Sequence, residues 1–188
     1  MLWTAFFLGV SIGLLRKGSF KNLINVQFNR WYFALIAFLI QAAVLIDFNY
    51  FSAERSFLYP YLYVGSFVLL VLFIISQNLA LGTILIGLGL CLNLFVIAAN
   101  QGKMPVDSSS LPPEVTIALE NGDKSPFHQV MQDGTVLSWL GDRITVPLYR
   151  NQLFSIGDLL LGTGIVFYVQ NGMLKKYKPK HYRSKGSY

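Results

Sequence analysis

Long apolar runs without a single lysine or arginine constrain this chain more than any other feature. Five segments qualify: 1–15, 31–47, 59–75, 79–99 and 153–170. Their only acids are Asp47, at an end, and Asp158, inside the last run. A helix crossing a hydrocarbon core of about 30 Å needs about 20 apolar residues, so four runs are long enough or nearly so and the first is short. Charged residues make up 13% of the 188 residues, about half the ~25% typical of a soluble domain. Disorder, collagen and coiled coil are excluded on the same ground. Cys91 is the only cysteine, which excludes an internal disulfide. The expected fold is an all-α membrane protein, a five-helix transmembrane bundle forming one integral membrane domain.

The first run lacks the marks of a signal peptide. Arg16 and Lys17 follow the apolar stretch instead of preceding it, and no A-x-A site comes after. An uncleaved first span is therefore expected. Gly9 and Gly13 form a GxxxG that permits close helix contact, within the chain or between copies.

The basic residues orient the bundle. Arg16, Lys17, Lys21 and Arg30 fill the loop after span one, and Lys175, Lys176, Lys178, Lys180, Arg183 and Lys185 fill the tail at 171–188. Neither segment holds an acid. Five spans place both on one side, so the positive-inside rule puts the N-terminus outside and the tail in the cytoplasm of a bacterial cell. Tyr50, Phe51, Tyr59, Tyr61 and Tyr63 would belt the outer boundary, and Trp31 and Tyr32 the inner one. The net charge of +6 then belongs to the cytoplasmic face, where it attracts anionic lipid headgroups. A nucleic-acid partner for the tail, with Tyr177, His181 and Tyr182 among its bases, is not needed to explain charges that topology already requires.

The outer loop, 100–152, is too long to be a bare connection and reads as a small ordered cap. Pro112-Pro113 opens a short helix from Glu114 to Glu120, closed by Asn121-Gly122. Ser125 reads as the cap of a second short helix running toward Asp133-Gly134. Thr135 to Leu140 and Arg143 to Val146 read as two short strands around Gly141-Asp142.

Polar residues inside the spans are candidate site residues. Gln41 lies in span two. Asn93 and Asn100 share one face of span four with Gly89, either bonding helix to helix or lining a polar mouth beneath the cap. Asp158 is either a functional carboxylate or the partner of Ser155 in a capping box. Asp142 is either hairpin-turn chemistry or a second functional carboxylate. Two acids brought close share a proton, which leaves one free as a general base.

Three blocks carry a resemblance: Asn100-Gln-Gly102-Lys-Met104-Pro105-Val106, then Leu140-Gly141-Asp142 with Pro147, then Phe154-Ser155-Ile156-Gly157-Asp158. Together they resemble a bacterial integral membrane family of unknown function, which implies membrane location but no activity. Asp142-Arg143 and the Phe154 to Asp158 block are also similar to the catalytic motifs of lipoprotein signal peptidase, which would make Asp142 and Asp158 the pair of a membrane aspartyl hydrolase. This chain departs from that family in having five spans for its four, and Ser155 where the family has Asn.

No metal or cofactor is implied. His128 and His181 fall on opposite sides, and no Cys cluster, HExxH, phosphate loop or G-x-S-x-G is present. The leading expectation is a non-catalytic membrane protein. It would bind a lipid, peptide or partner subunit at its outer face through Asn93, Asn100, Gly102, Met104, Pro105, Arg143 and Pro147, near Asp142 and Asp158. The alternatives are the aspartyl hydrolase and a structural subunit of a membrane complex.

Overall fold

A computed structural model of the chain describes residues 1–50, 57–147 and 152–175. Arg55, Phe51, Arg150 and the tail beyond Lys175 lie outside the described residues. Seven α-helices are described: α1 Leu2–Leu15, α2 Phe20–Ile24, α3 Tyr32–Tyr50, α4 Tyr59–Ile75, α5 Leu81–Ala99, α6 Pro113–Glu120 and α7 Ile156–Leu174. Two of them, α3 and α5, are long and apolar enough to cross a membrane; α1 and α4 are apolar but shorter.

The packed neighbours run α1–α7–α5–α4–α3. Glycines explain the closest of these contacts. A Cβ at Gly82 would lie 2.5 Å from the Tyr168 nitrogen and one at Gly89 2.5 Å from the Gly157 oxygen. A Cβ at Gly164 would meet the Ile86 nitrogen at 2.7 Å. Gly82 and Gly89 on α5 thus oppose Gly164 and Gly157 on α7, each pair seven residues apart on its helix, so the two antiparallel backbones touch. Gly9 and Gly13 of α1 face Val169 and Met173 of α7, so within this chain the GxxxG serves internal packing. Because α7 is enclosed by α1, α5 and α2, it carries glycines and amides along its length and is the least apolar of the long helices. At its far end α2 closes the structure: the Ser19 nitrogen and Asn22 Nδ2 both donate to the Met173 carbonyl, at 3.0 and 2.8 Å.

At the other end the cap sits on α4 and α5. Strand β1 (Met104–Val106) pairs in parallel with β2 (His128–Val130), the crossover between them carrying α6. Strands β3 (Ile144–Thr145) and β4 (Leu153–Phe154) pair antiparallel. Met104 and Leu140 of the cap join Phe67, Leu90, Val96 and Ile97 in the main core, and Phe127 joins Val44 of α3 and Tyr59 of α4.

Two expectations about the cap are corrected. Ser125 does not open a helix: its hydroxyl accepts from the Phe127 nitrogen at 3.2 Å and meets His128 Nδ1 at 2.8 Å, which turns the chain into β2. The segment from Thr135 is not a strand. Asn100 holds Val136 by both backbone groups, accepting from its nitrogen at 3.0 Å and donating to its oxygen at 2.8 Å. A short 3-10 turn over Ser138–Leu140 follows, and β3 finds its partner in β4.

Candidate functional site

The polar residues of the cap end converge where α5, α7 and the cap meet. Ser155 caps α7 and forms a capping box with Asp158: the Asp158 nitrogen donates to Ser155 Oγ at 2.9 Å, and the Ser155 nitrogen donates to Asp158 Oδ2 at 3.1 Å. Asn93 of α5 closes the circuit. Ser155 Oγ donates to Asn93 Oδ1 at 2.9 Å, and Asn93 Nδ2 donates to Asp158 Oδ1 at 2.9 Å. Both carboxylate oxygens thus accept a protein donor, and among the described residues no donor takes the other lone pair of either. The acid also lies in the first turn of α7, where the helix dipole favours negative charge. The capping reading of Ser155 and Asp158 and the inward turn of Asn93 are therefore parts of one network.

Asp142 lies within the cap. Its backbone is stitched to β1, the nitrogen donating to the Pro105 oxygen at 2.8 Å and the oxygen accepting from the Asp107 nitrogen at 2.8 Å. Gly141 permits this approach, since a Cβ there would lie 2.7 Å from the Pro105 oxygen. Only 6% of Asp142 is exposed, and its Oδ1 is buried without a hydrogen-bond partner among the described residues. Its Oδ2 lies 3.7 Å from His128 Nε2. Burial, with a further push from the Asp158 carboxylate, raises the Asp142 pKa to about 8. Desolvation pulls His128 the other way, below its ordinary value, against a smaller opposing pull from Asp158. At neutral pH both partners are mainly neutral, so their contact is not an ion pair. The structure brings Asp142 and Asp158 within electrostatic reach of each other.

The other sequence candidates divide. Asn100, Gly102, Met104 and Pro105 build the cap's attachment: Asn100 ends α5, Gly102 at φ +79° lies against Pro60, and Met104 and Pro105 are buried. Arg143 faces Asp107 at 3.6 Å, and Pro147 is exposed, so neither joins the cluster. The Asp107 carboxyl is held below its ordinary pKa chiefly by its hydrogen bond to Ser109, with Arg143 a lesser cause. Gln41 donates to Ser66 Oγ at 2.8 Å and bonds α3 to α4. Two aromatic residues join the cluster that the sequence does not mark as site residues: Tyr63, expected only in the outer aromatic belt, and Phe127. They stack with ring centroids 4.2 Å apart, and Phe67 meets Tyr63 edge-on at 5.1 Å. The spacing of Tyr59, Tyr63 and Phe67 on one helical face was the available signal.

A cavity of about 770 Å³ runs from this cluster down the inside of the row of helices. Asp158, Asn93 and Tyr63 line its cap end, and Phe28 and Gln77 its far end. From Tyr63 to Ile74 it follows about 17 Å of α4, at ~1.5 Å per residue. Both α1 and α3 contribute to its wall, yet these two stand at opposite ends of the packed row. The cavity therefore lies between them.

Fold and site together define a mainly helical chain with two helices suited to a membrane, a capped polar cluster and a long apolar cavity. The chain belongs to a family of unknown function, DUF5317, whose profile matches residues 25–170 and so takes in every member of the cluster. An uncharacterized protein of Thermotoga maritima is 30% identical over 172 residues, 90% of each chain. No solved structure matches.

Proposed function

We propose that the chain is a five-span protein of the bacterial cytoplasmic membrane that holds an amphiphile in its cavity, head toward the cap and chain along α4, without chemically altering it. The single observation that carries this reading is the cavity itself. It is lined mainly by apolar side chains, carries its one charged side chain, Asp158, at the cap end, and is bounded by two helices at opposite ends of the packed row. Its volume falls in the usual range of ligand sites, roughly 300–1,000 Å³. The bundle's outer surface supports a bilayer setting: Trp3, Phe7, Leu39, Leu88 and Phe95 are each more than half exposed, a surface that hydrocarbon would cover. In this reading α1, α3, α4, α5 and α7 are the spans and the N-terminus and cap are outside. The tail carrying Lys175 is cytoplasmic, where it meets anionic headgroups. A membrane-protein partner, with the chain as a structural subunit, would use the same exposed helix faces.

Ala34 lines the far end of the cavity. Ala34→Trp is expected to shorten the space while sparing the packed seam of α5 and α7. Excluding two methylenes, at about 0.8 kcal/mol each, weakens binding of a long-chain monoacylglycerol roughly tenfold and leaves shorter chains unaffected. A titration across chain lengths measures this, and equal weakening at every length would contradict it.

A second reading, a membrane aspartyl hydrolase, is favoured by one observation: burial, with a lesser push from the charge of Asp158, raises the Asp142 pKa to about 8. A protonated and an ionised carboxyl side by side can donate to a substrate carbonyl and activate water. Against it, Asp158 lines the cavity and Asp142 does not. Under this reading Asp142→Asn and Asp158→Asn each abolish lipoprotein processing in cells. Folded variants with unchanged processing would remove it.

A further inference from the structure

The polar end of the cavity has a composition that selects among amphiphiles. Its one charged lining side chain is Asp158, and no lysine, arginine or histidine side chain lines it. Aromatic rings line the same cavity as that carboxylate, among them Tyr63, Phe67 and Phe154. Tyr63 is within electrostatic reach of Asp158, and Phe154 ends β4 next to Ser155, the N-cap of α7 that shares the capping box with Asp158. Asn93 and the Ser155 nitrogen use one lone pair on each carboxylate oxygen, and among the described residues no donor takes the other. An anionic head such as a bare phosphate or sulfate would meet the like charge of Asp158 with no lysine, arginine or histidine side chain to receive it, the one cationic group among the lining residues being the α-amino group of Met1, and like charges repel strongly at low dielectric. An ammonium head would find a counter-charge and the negative faces of aromatic rings, the combination by which quaternary ammonium groups are recognised.

We infer that the cavity takes a cationic amphiphile, an ammonium-headed lipid whose head rests against Asp158, Tyr63, Phe67 and Phe154. This inference rests on the amphiphile-binding reading and adds the chemistry of the head. Asp158 fixes the charge of the ligand, and the rings fix its preference for a soft, weakly hydrated cation. Asn93 and Ser155 act through Asp158 by holding its carboxylate toward the cavity end, and are positioning residues.

The test uses the full chain in a non-ionic detergent, tagged at the C-terminus so that Met1, which also lines the cavity, is unaltered. Binding of an alkyl trimethylammonium is compared with that of the alkyl sulfate of equal chain length and of a neutral monoacylglycerol. The ammonium compound is expected to bind at least about tenfold more tightly than the sulfate, as a desolvated counter-charge against a like charge requires. Phe67→Leu keeps an apolar side chain but removes a ring. It is expected to reduce the preference for the ammonium compound over the monoacylglycerol about fivefold, the size of one cation–π contact. Asp158→Asn, where it folds, is expected to abolish the preference over sulfate. Should that variant not fold, the wild-type comparison and Phe67→Leu still decide. Equal binding of sulfate and ammonium would overturn the assignment of the head while leaving the cavity reading intact. Failure of all three compounds to bind the folded protein would overturn both.

Discussion

Leucine at position 89 is expected to prevent α5 and α7 from packing, and the protein carrying it should not survive extraction in folded form. The reason is geometric. A Cβ at Gly89 would lie 2.5 Å from the Gly157 oxygen and 2.9 Å from the Leu161 nitrogen, and backbone atoms cannot swing aside as a side-chain end can. Even alanine must force the two helices apart, at a cost of about 1–3 kcal/mol for overpacking. Gly65 provides the contrast, because an added Cβ there meets nothing within 4 Å. Gly65→Ala is expected to stabilise α4 by roughly 0.5–1 kcal/mol, the usual cost of a glycine within a helix. Thermal unfolding in detergent micelles compares the two alanine variants directly. Opposite signs are expected, and equal effects would show that the seam does not hold the bundle.

The second large effect concerns pH. Asp142 titrates near 8 in the folded chain against about 3.8 unfolded, so the folded state prefers the protonated form. The stability it contributes is complete below pH ~3.8 and declines as the pH rises through that window to about 8. A shift of about four units (8 less 3.8), at roughly 1.4 kcal/mol each, places the whole change on the order of several kcal/mol. His128 works in the reverse direction. Its folded pKa is depressed, so its contribution is present above ~6.5 and is lost as the pH falls. The two slopes oppose each other below pH ~6.5, so the net loss of cap stability is expected between pH ~6.5 and about 8, where Asp142 alone acts. Asp142→Asn, which mimics the neutral acid, should abolish the alkaline loss and be more stable than the natural chain at pH 9. Hydrogen exchange of the Met104 and Asp142 amides, which bond to the Phe127 and Pro105 carbonyls, reports on the cap alone. A variant that keeps the alkaline loss would show that another group causes it.

What was legible in the sequence follows from the range of the interactions. The long helices came from local apolar runs, and α6 from Pro113 and Asn121-Gly122, so their limits fall within a few residues of expectation. The capping box at Ser155 was legible because its two members are three residues apart. The cap's pairing was not. β1 and β2 are more than twenty residues apart in sequence and parallel, and Ser125 serves a turn with the same side chain that would have capped a helix. Asn100 diverts Val136 from a strand by bonds between residues 36 apart, which no local pattern announces. The site was half visible. Asn93, Asp142 and Asp158 stood out as polar groups in apolar or turn settings, whereas Tyr63 and Phe127 resemble ordinary interface aromatics until the cap is folded over them. The glycine seam escaped notice because its four members come from two distant helices. Gly89 alone gave no hint of Gly157.

The central claim is that the cavity beneath the cap holds an amphiphile. The most direct measurement is native mass spectrometry of the delipidated protein with added long-chain monoacylglycerol, a neutral compound whose binding does not depend on the charge of the head. One bound molecule per chain is expected in the natural protein, with occupancy reduced roughly tenfold by Ala34→Trp. A folded natural protein that retains none, or an Ala34→Trp protein that retains it equally, would contradict the account.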